Sequence, residues 1–207
     1  MAPDAPAGRR LLLVRHGRTA WNAEGRAQGQ ADVSLDDTGR RQAEEMAPVV
    51  AAYDPVLLVS SDLARARETA AYLEKATGLT AEEDPRLREY DLGPRSGLTA
   101  AEAAAGGGEA SFDTHATLRA EGVETARAVA DRIVPATLGA LDRLEAGQTG
   151  VLVLHGAALR TALAGVLGWP LEAADGLAAV DNCAWAELRD APHGRLRLAA
   201  YNRSARG

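Results

Sequence analysis

Two histidines in this chain each leave an apolar run of strand length and precede a glycine: Val14-Arg15-His16-Gly17 and Leu154-His155-Gly156. An imidazole at a strand end is suited to nucleophilic or acid–base work near neutral pH. The following glycine, lacking a Cβ, lets backbone come close to a ligand. One such His-Gly step is a weak signal that chance supplies often. Two of them, the first beside Arg15, form a stronger one; the bland alternative is a pair of hydrogen-bonded loop histidines. Arginine also bears on the chemistry, because a guanidinium fork donates bidentately to oxyanions. Of 23 basic residues, all but Lys75 are arginine.

The elements that must position these groups follow from hydrophobic period and breakers. Leu11–Val14, Val56–Ser60 and Val151–Leu154 are unbroken apolar runs, as expected of strands covered on both faces of a parallel sheet. Helical patterns lie between them, at Asp37–Ala52, Asp62–Thr77 closed by Gly78, Glu124–Ala146 closed by Gly147, and Ala157–Leu167 closed by Gly168. Pro135 is expected to bend or split the third of these. Thr99 and Glu102 resemble a capping box opening a short helix in the low-complexity stretch Ala100–Gly108. Two further strands are expected at Ala184–Leu188 and Leu196–Ala200, joined by a turn at Pro192–Gly194. The β–α alternation implies a three-layer α/β/α sandwich with a mainly parallel sheet. Function then belongs at the carboxyl ends of the strands. Residues 1–9 read as a flexible lead-in and 10–207 as a single domain.

Taken in order, the motifs are similar to those of the histidine phosphatase superfamily, with its phosphoglycerate mutase-like fold. Arg15-His16-Gly17 with Thr19 and Asn22 resembles the opening motif, and Gln28-Gly29, Asp32, Leu35, Gly39 and Gln42-Ala43 the segment after it. Ser60-Ser61-Asp62-Leu63 with Arg65 and Thr69-Ala70 resembles the second block, and Leu87-Arg88-Glu89 with Gly93 the third. Gly122, Glu124 and Arg132 are similar to the block before the second histidine strand. The resemblance implies a phosphomonoester hydrolase whose nucleophile is His16, with Arg15, Arg65 and His155 holding the phosphoryl group. Glu89 is then the general acid and base, and Asn22, Gln28, Gly29 and Gly156 line the same pocket. Such a site suits the reaction, because a phosphoryl group in flight spreads negative charge over its equatorial oxygens and needs positioning and charge stabilisation. Cationic neighbours also disfavour a protonated imidazole, which keeps His16 nucleophilic.

The chain departs from the family pattern at the rim. Arg18 stands where glutamate or glutamine is common, and Pro94-Arg95-Ser96 replaces a frequent Trp-Glu pair. Gly122-Val123-Glu124-Thr125 stands for Gly-Gly-Glu-Ser, and Leu154 for a serine. Arg18, Arg95 and Arg119 are therefore candidates for attracting a second anionic group of the substrate, the alternative being scattered surface arginines. Arg67 points about 200° around its helix from Arg65 and is expected to be solvated or paired. Arg160, one turn past His155, reads as a buried structural arginine, the alternative being a catalytic role. The segment between Gly93 and Gly122 is short and lacks the basic insert of glycolytic mutases, which favours hydrolysis over phosphoryl reinsertion. Asp181-Asn182-Cys183-Ala184-Trp185 and Tyr201-Asn202 resemble the tails of small actinobacterial phosphatases acting on phosphorylated sugars or glucosyl-3-phosphoglycerate. A bisphosphoglycerate-primed mutase and a non-catalytic phospho-ligand module are the competing classes.

Composition narrows the partners. The chain's 207 residues carry 23 basic and 29 acidic side chains, a net charge of −6, which is wrong for a protein held to nucleic acid by phosphate neutralisation. No apolar run approaches the ~18 residues needed to cross a bilayer, so no membrane is expected. The amino-terminal stretch lacks the apolar core of a signal peptide. Cys183 is the single cysteine, which fits a reducing cytoplasm and reads as a small buried apolar residue. His16, His115, His155 and His193 show no paired ligand spacing, so neither a metal nor another cofactor is expected. The implied partner is a small-molecule phosphomonoester, and the protein is a monomer or homodimer.

Overall fold

The computed structural model describes residues 8–106 and 122–206. Six strands form one sheet: β1 (Arg10–Arg15), β2 (Pro55–Ser60), β3 (Glu82–Glu83), β4 (Thr149–Leu154), β5 (Trp185–Ala191) and β6 (Arg195–Arg203), in the order β3-β2-β4-β1-β5-β6. The four on one side run parallel, whereas β5 is antiparallel to β1 and β6 to β5. The helices are α1 (Ala20–Ala23), α2 (Asp37–Ala51), α3 (Ala64–Thr77), α4 (Ala100–Ala105), α5 (Ala126–Asp142) and α6 (Gly156–Val166). Strand alternation sends Leu11, Leu13, Leu152 and Leu154 toward the α5–α6 layer and Leu12, Val14, Val151 and Val153 toward the α2–α3 layer. The expected three-layer sandwich is thus the observed fold. Each large apolar side chain so covered contributes roughly 1.5–3 kcal/mol.

The ends of several elements follow from their punctuation. Gly78 closes α3 in the left-handed region with φ 75°, as a C-terminal glycine should. Thr99 and Glu102 form the expected capping box on α4. Pro135 does not split α5, which runs unbroken through it. Proline removes one amide donor, and the carbonyl it leaves without an intrahelical partner belongs to Asp131, an exposed residue. The expected ends at Glu124 and Ala146 contract to Ala126 and Asp142, because Thr125 takes the N-cap and accepts from Ala128 N. Among the described residues no helix is long and apolar enough to cross a membrane.

Register decides where the site falls. The parallel β1–β4 ladder pairs Arg15 with Leu154, so the next residues, His16 and His155, leave the sheet side by side. The β2–β4 ladder pairs Ser60 with Val153, which carries Ser61 to the same edge.

Candidate active site

His16 and His155 lie with ring centroids 5.2 Å apart. The His16 Nδ1 sits 2.7 Å from the Gly17 carbonyl. A carbonyl can only accept, so Nδ1 carries the proton and Nε2 keeps its lone pair. Burial first, then the charges of Arg65 and Arg15, hold His16 well below its ordinary value of 6.5. A neutral imidazole with one free nitrogen is the nucleophilic form. The loop that holds it is tied down by Thr69, whose Oγ1 accepts from Gly17 N at 3.0 Å, and by Asn182, whose side-chain amide donates to the His16 carbonyl at 3.0 Å. A Cβ on Gly17 would meet the Gly39 carbonyl oxygen at 2.6 Å. This glycine therefore serves the close crossing of the loop over α2, and not ligand approach as the sequence pattern implied.

Arg65 is 1% exposed and its guanidinium is fixed on three sides. Nη1 donates to the Ala31 carbonyl at 2.8 Å, Nη2 to the Gly29 carbonyl at 2.7 Å, and Nε to His155 Nδ1 at 3.1 Å. Burial draws it down to about 10, still protonated at neutral pH. Helix α3, on which Arg65 sits, receives its cap from a distant residue: Asp32 Oδ1 accepts from Ala64 N at 2.6 Å. Arg15 is anchored by a hydrogen bond to the Val180 carbonyl. Gly156 matters here, because a Cβ would press on Arg15 Nε at 3.4 Å.

His155 lies beside His16 with its ring held between Arg65 and Ser61. Its Nδ1 accepts from Arg65, so the ring proton is on Nε2, which donates to Ser61 Oγ at 2.8 Å. Both nitrogens are engaged, the residue is 0% exposed, and it is absent from the cleft lining. In this geometry it orients Arg65. Burial, with the charges of Arg65, His16 and Arg15, holds it well below 6.5 as well.

Glu89 faces the cleft from the amino end of α6. Its oxygens accept from Ala157 N at 3.0 Å, Ala158 N at 2.9 Å and Tyr90 N at 3.0 Å, so first-turn amides that lack helical partners are satisfied. Arg132 clasps the loop that delivers it, donating to the Arg86, Arg88 and Glu89 carbonyls at 2.9, 2.7 and 2.9 Å. Glu124 in turn pairs with Arg132 at 2.8 Å. The Glu124 and Arg132 motif thus acts by holding Glu89.

The cleft, about 730 Å³ with its open mouth, brings together Arg15, His16, Asn22, Gln28, Gly29, Arg65, Glu89 and Gly156. Two of the three rim candidates, Arg18 and Arg95, are not among its lining residues. Arg18 turns to Asp36 at 2.8 Å, because its amide is held by Gln42 and its carbonyl by Asp36 N. Arg95, in the 3-10 turn Gly93–Arg95, also lies off the lining. Arg119 and His115 fall outside the described residues. Arg67 pairs with Glu83 at 4.0 Å, as its helix phase implied. Sequence reasoning missed Arg26, Tyr90 and Val180, which line the cleft; nothing in their neighbourhood distinguishes them from ordinary loop residues. Cys183 is buried with its thiol pushed up to about 12 by burial, and its amide donates to the Arg15 carbonyl at 3.0 Å. Among the described residues no group of three or more His, Cys, Asp or Glu side chains could hold a metal ion.

A parallel-sheet edge that sets a neutral histidine among arginines and a carboxylate defines a protein built for phosphoryl groups. The chain belongs to the histidine phosphatase superfamily (branch 1), whose sequence profile matches residues 11–203, and it is a phosphatase of that family. It is 39% identical over 188 residues to glucosyl-3-phosphoglycerate phosphatase of Mycolicibacterium vanbaalenii, covering 87% of this chain and 84% of that protein. It is 37% identical over 175 residues to the probable phosphoglycerate mutase GpmB of Yersinia pestis, covering 79% and 77%. Among solved structures, mycobacterial glucosyl-3-phosphoglycerate phosphatase in complex with VO3 superposes with a TM-score of 0.87 at 37% identity, covering 95% of this chain and 100% of that one.

Proposed function

We propose that the protein hydrolyses small phosphorylated metabolites, of sugar-phosphate or phosphoglycerate type, through a phosphohistidine on His16. The observation that carries this reading is the His16 ring: Nδ1 bound to the Gly17 carbonyl, Nε2 left to attack, and Arg15, Arg65 and Glu89 lining the same cleft. In the first step His16 Nε2 bonds to phosphorus while the ester oxygen departs, taking a proton from Glu89. In the second, Glu89 removes a proton from water, the water oxygen attacks phosphorus, and the His16–phosphorus bond breaks. The sum is ester plus water to alcohol plus phosphate. Arg15 and Arg65 offer N–H groups to the equatorial oxygens throughout, and His155 holds Arg65 in line. The relative that binds VO3 supports an oxyanion site of this kind, and the glucosyl-3-phosphoglycerate phosphatases support a phosphorylated metabolite as ligand.

The test is release of phosphate from p-nitrophenyl phosphate in the presence of chelator, with rapid quenching to trap acid-labile phosphohistidine. His16→Ala is expected to lower kcat by about 10⁴-fold or more and to abolish the trapped species; unchanged turnover in that variant refutes the assignment. A second reading, mutase action, is favoured by the likeness to GpmB. It predicts interconversion of 3- and 2-phosphoglycerate faster than phosphate release, and release alone removes it.

A further inference from the structure

At the end of the sheet away from the cleft, three arginines stand in a row across three strands. The β1–β5 ladder pairs Arg10 with Arg189, and the β5–β6 ladder pairs Arg189 with Arg197. Directly paired residues point to the same face, where like charges repel and cost stability. Arg195 and Arg203 flank the row on β6, opposite Ala191 and Trp185. Strand β1 begins at Arg10 and His16 follows its far end, so the row lies about 20 Å from the nucleophile.

One carboxylate serves this group. Glu187 is 1% exposed. Its Oε1 lies 2.9 Å from Arg10 Nε and also accepts from Arg189 Nε, and its Oε2 lies 3.9 Å from Arg203 Nη1. Tyr53 adds only neutral partners: its ring lies 5.1 Å from the Arg10 guanidinium carbon, and its hydroxyl accepts from Arg203 at 3.2 Å. Among the described residues, Arg195 and Arg197 have no carboxylate partner, and both are exposed. A cavity of about 940 Å³ with its open mouth is bounded by Arg189, Arg197 and Arg203, with Glu187 in its wall. The buried acid directs three guanidinium groups but cancels a single charge of the five. A surplus of positive charge thus surrounds an open cavity in a chain whose net charge is −6. Folding gains nothing from that surplus, and the phosphoryl chemistry at His16 does not reach it.

Spacing selects the anion. The step from one arginine of the row to the next is the distance between strands, about 4.8 Å. Carboxylates on one face of an extended peptide recur every two residues, about 6.8 Å apart, and fall out of that step. Phosphates of a condensed chain are joined through one bridging oxygen, so a short chain lays an oxyanion beside each member of the row. Each also meets a guanidinium fork bidentately. We propose that the cavity between Arg189, Arg197 and Arg203 is a binding site for a condensed phosphate, a chain of two or three phosphoryl groups carried free or on a nucleoside. The site does not depend on the phosphatase reading.

The test is calorimetric titration with sodium tripolyphosphate while orthovanadate fills the catalytic cleft. One site is expected, with affinity at least about tenfold greater for tripolyphosphate than for orthophosphate. Arg197→Glu is expected to weaken tripolyphosphate at least about thirtyfold and Arg197→Gln about tenfold. Arg197→Glu is expected to keep the wild-type rate on p-nitrophenyl phosphate, which shows that it folds. Without ligand, Arg197→Gln is expected to raise the thermal midpoint by about 1–3 °C, because a like charge opposite Arg189 is gone; a lower midpoint overturns the repulsion on which the proposal stands. ATP distinguishes the two carriers: binding at least as tight as tripolyphosphate assigns the chain on a nucleoside, weaker binding assigns the free chain, and either keeps the site. A hexaglutamate peptide that binds as tightly as tripolyphosphate overturns the proposal in favour of an acidic protein segment. So does undiminished binding by Arg197→Glu, or the absence of tripolyphosphate binding by the wild-type protein.

Discussion

The floor of the cleft and its rim are both furnished with arginine, and they treat it in opposite ways. At the floor, Arg65 gives its hydrogen bonds to two carbonyls and an imidazole, and Arg15 gives one to a carbonyl. Neutral acceptors fix a guanidinium's direction and leave its charge for the ligand. At the rim, Arg18 meets Asp36, and Arg26 meets Glu24 and Glu102. Carboxylate partners fix direction as well, but they cancel the charge. An arginine's value to an oxyanion site therefore depends on what holds it, more than on its closeness to a motif.

The largest effect that sharpens this contrast is at Glu89, which shares the floor. Glu89→Gln keeps the shape but can neither give the leaving oxygen a proton nor take one from water. Its kcat is expected to fall by about 10²–10⁴-fold, with a greater loss on alkyl phosphates than on p-nitrophenyl phosphate, whose leaving group needs little protonation. Because the second step also lacks its base, p-nitrophenol should appear in a burst matching the enzyme concentration. A uniform loss without a burst would place Glu89 outside the proton transfers.

The floor should also show in stability against pH. His16 and His155 are buried as neutral rings, with values well below 6.5 in the folded protein. In the unfolded chain they titrate near 6.5, so below that pH the unfolded state binds more protons. Stability is therefore full above about pH 6.5 and falls on acidification, by up to about 1.4 kcal/mol per pH unit for each ring. Urea unfolding midpoints between pH 7.5 and 5.5 test this. His16→Asn should flatten the slope relative to the wild-type protein, and parallel slopes would show that the ring is charged inside the fold.

How far the sequence reached follows the same division. The floor was legible because strand ends are written in short apolar runs and because parallel register then sets His16 beside His155 without further choice. The direction of each side chain was not. That His155 would turn both nitrogens to Arg65 and Ser61, or that Leu177 and Val180 would pin Arg160 and Arg15, depends on segments distant in sequence with no periodic signature. Pro135 left two outcomes open for a related reason: whether a proline ends a helix or is carried within it depends on how the neighbouring turns pack, and α5 carries it.

The smallest expected effect is at Arg18, and it probes the rim directly. Its ion pair with Asp36 is partly exposed, with side-chain exposures of 39% and 19%, so its loss should cost no more than about 1 kcal/mol. Asp36 keeps its own role as the N-cap of α2, accepting from Gly39 N at 2.7 Å. Arg18→Met is therefore expected to leave kcat/KM within about twofold for both 3-phosphoglycerate and glycerol 3-phosphate, since a guanidinium cancelled by a carboxylate and turned from the cleft has little to lose. A larger drop confined to the acid would show that Arg18 leaves Asp36 when substrate binds, and the line between a charge-cancelled rim and a charge-bearing floor would have to be redrawn.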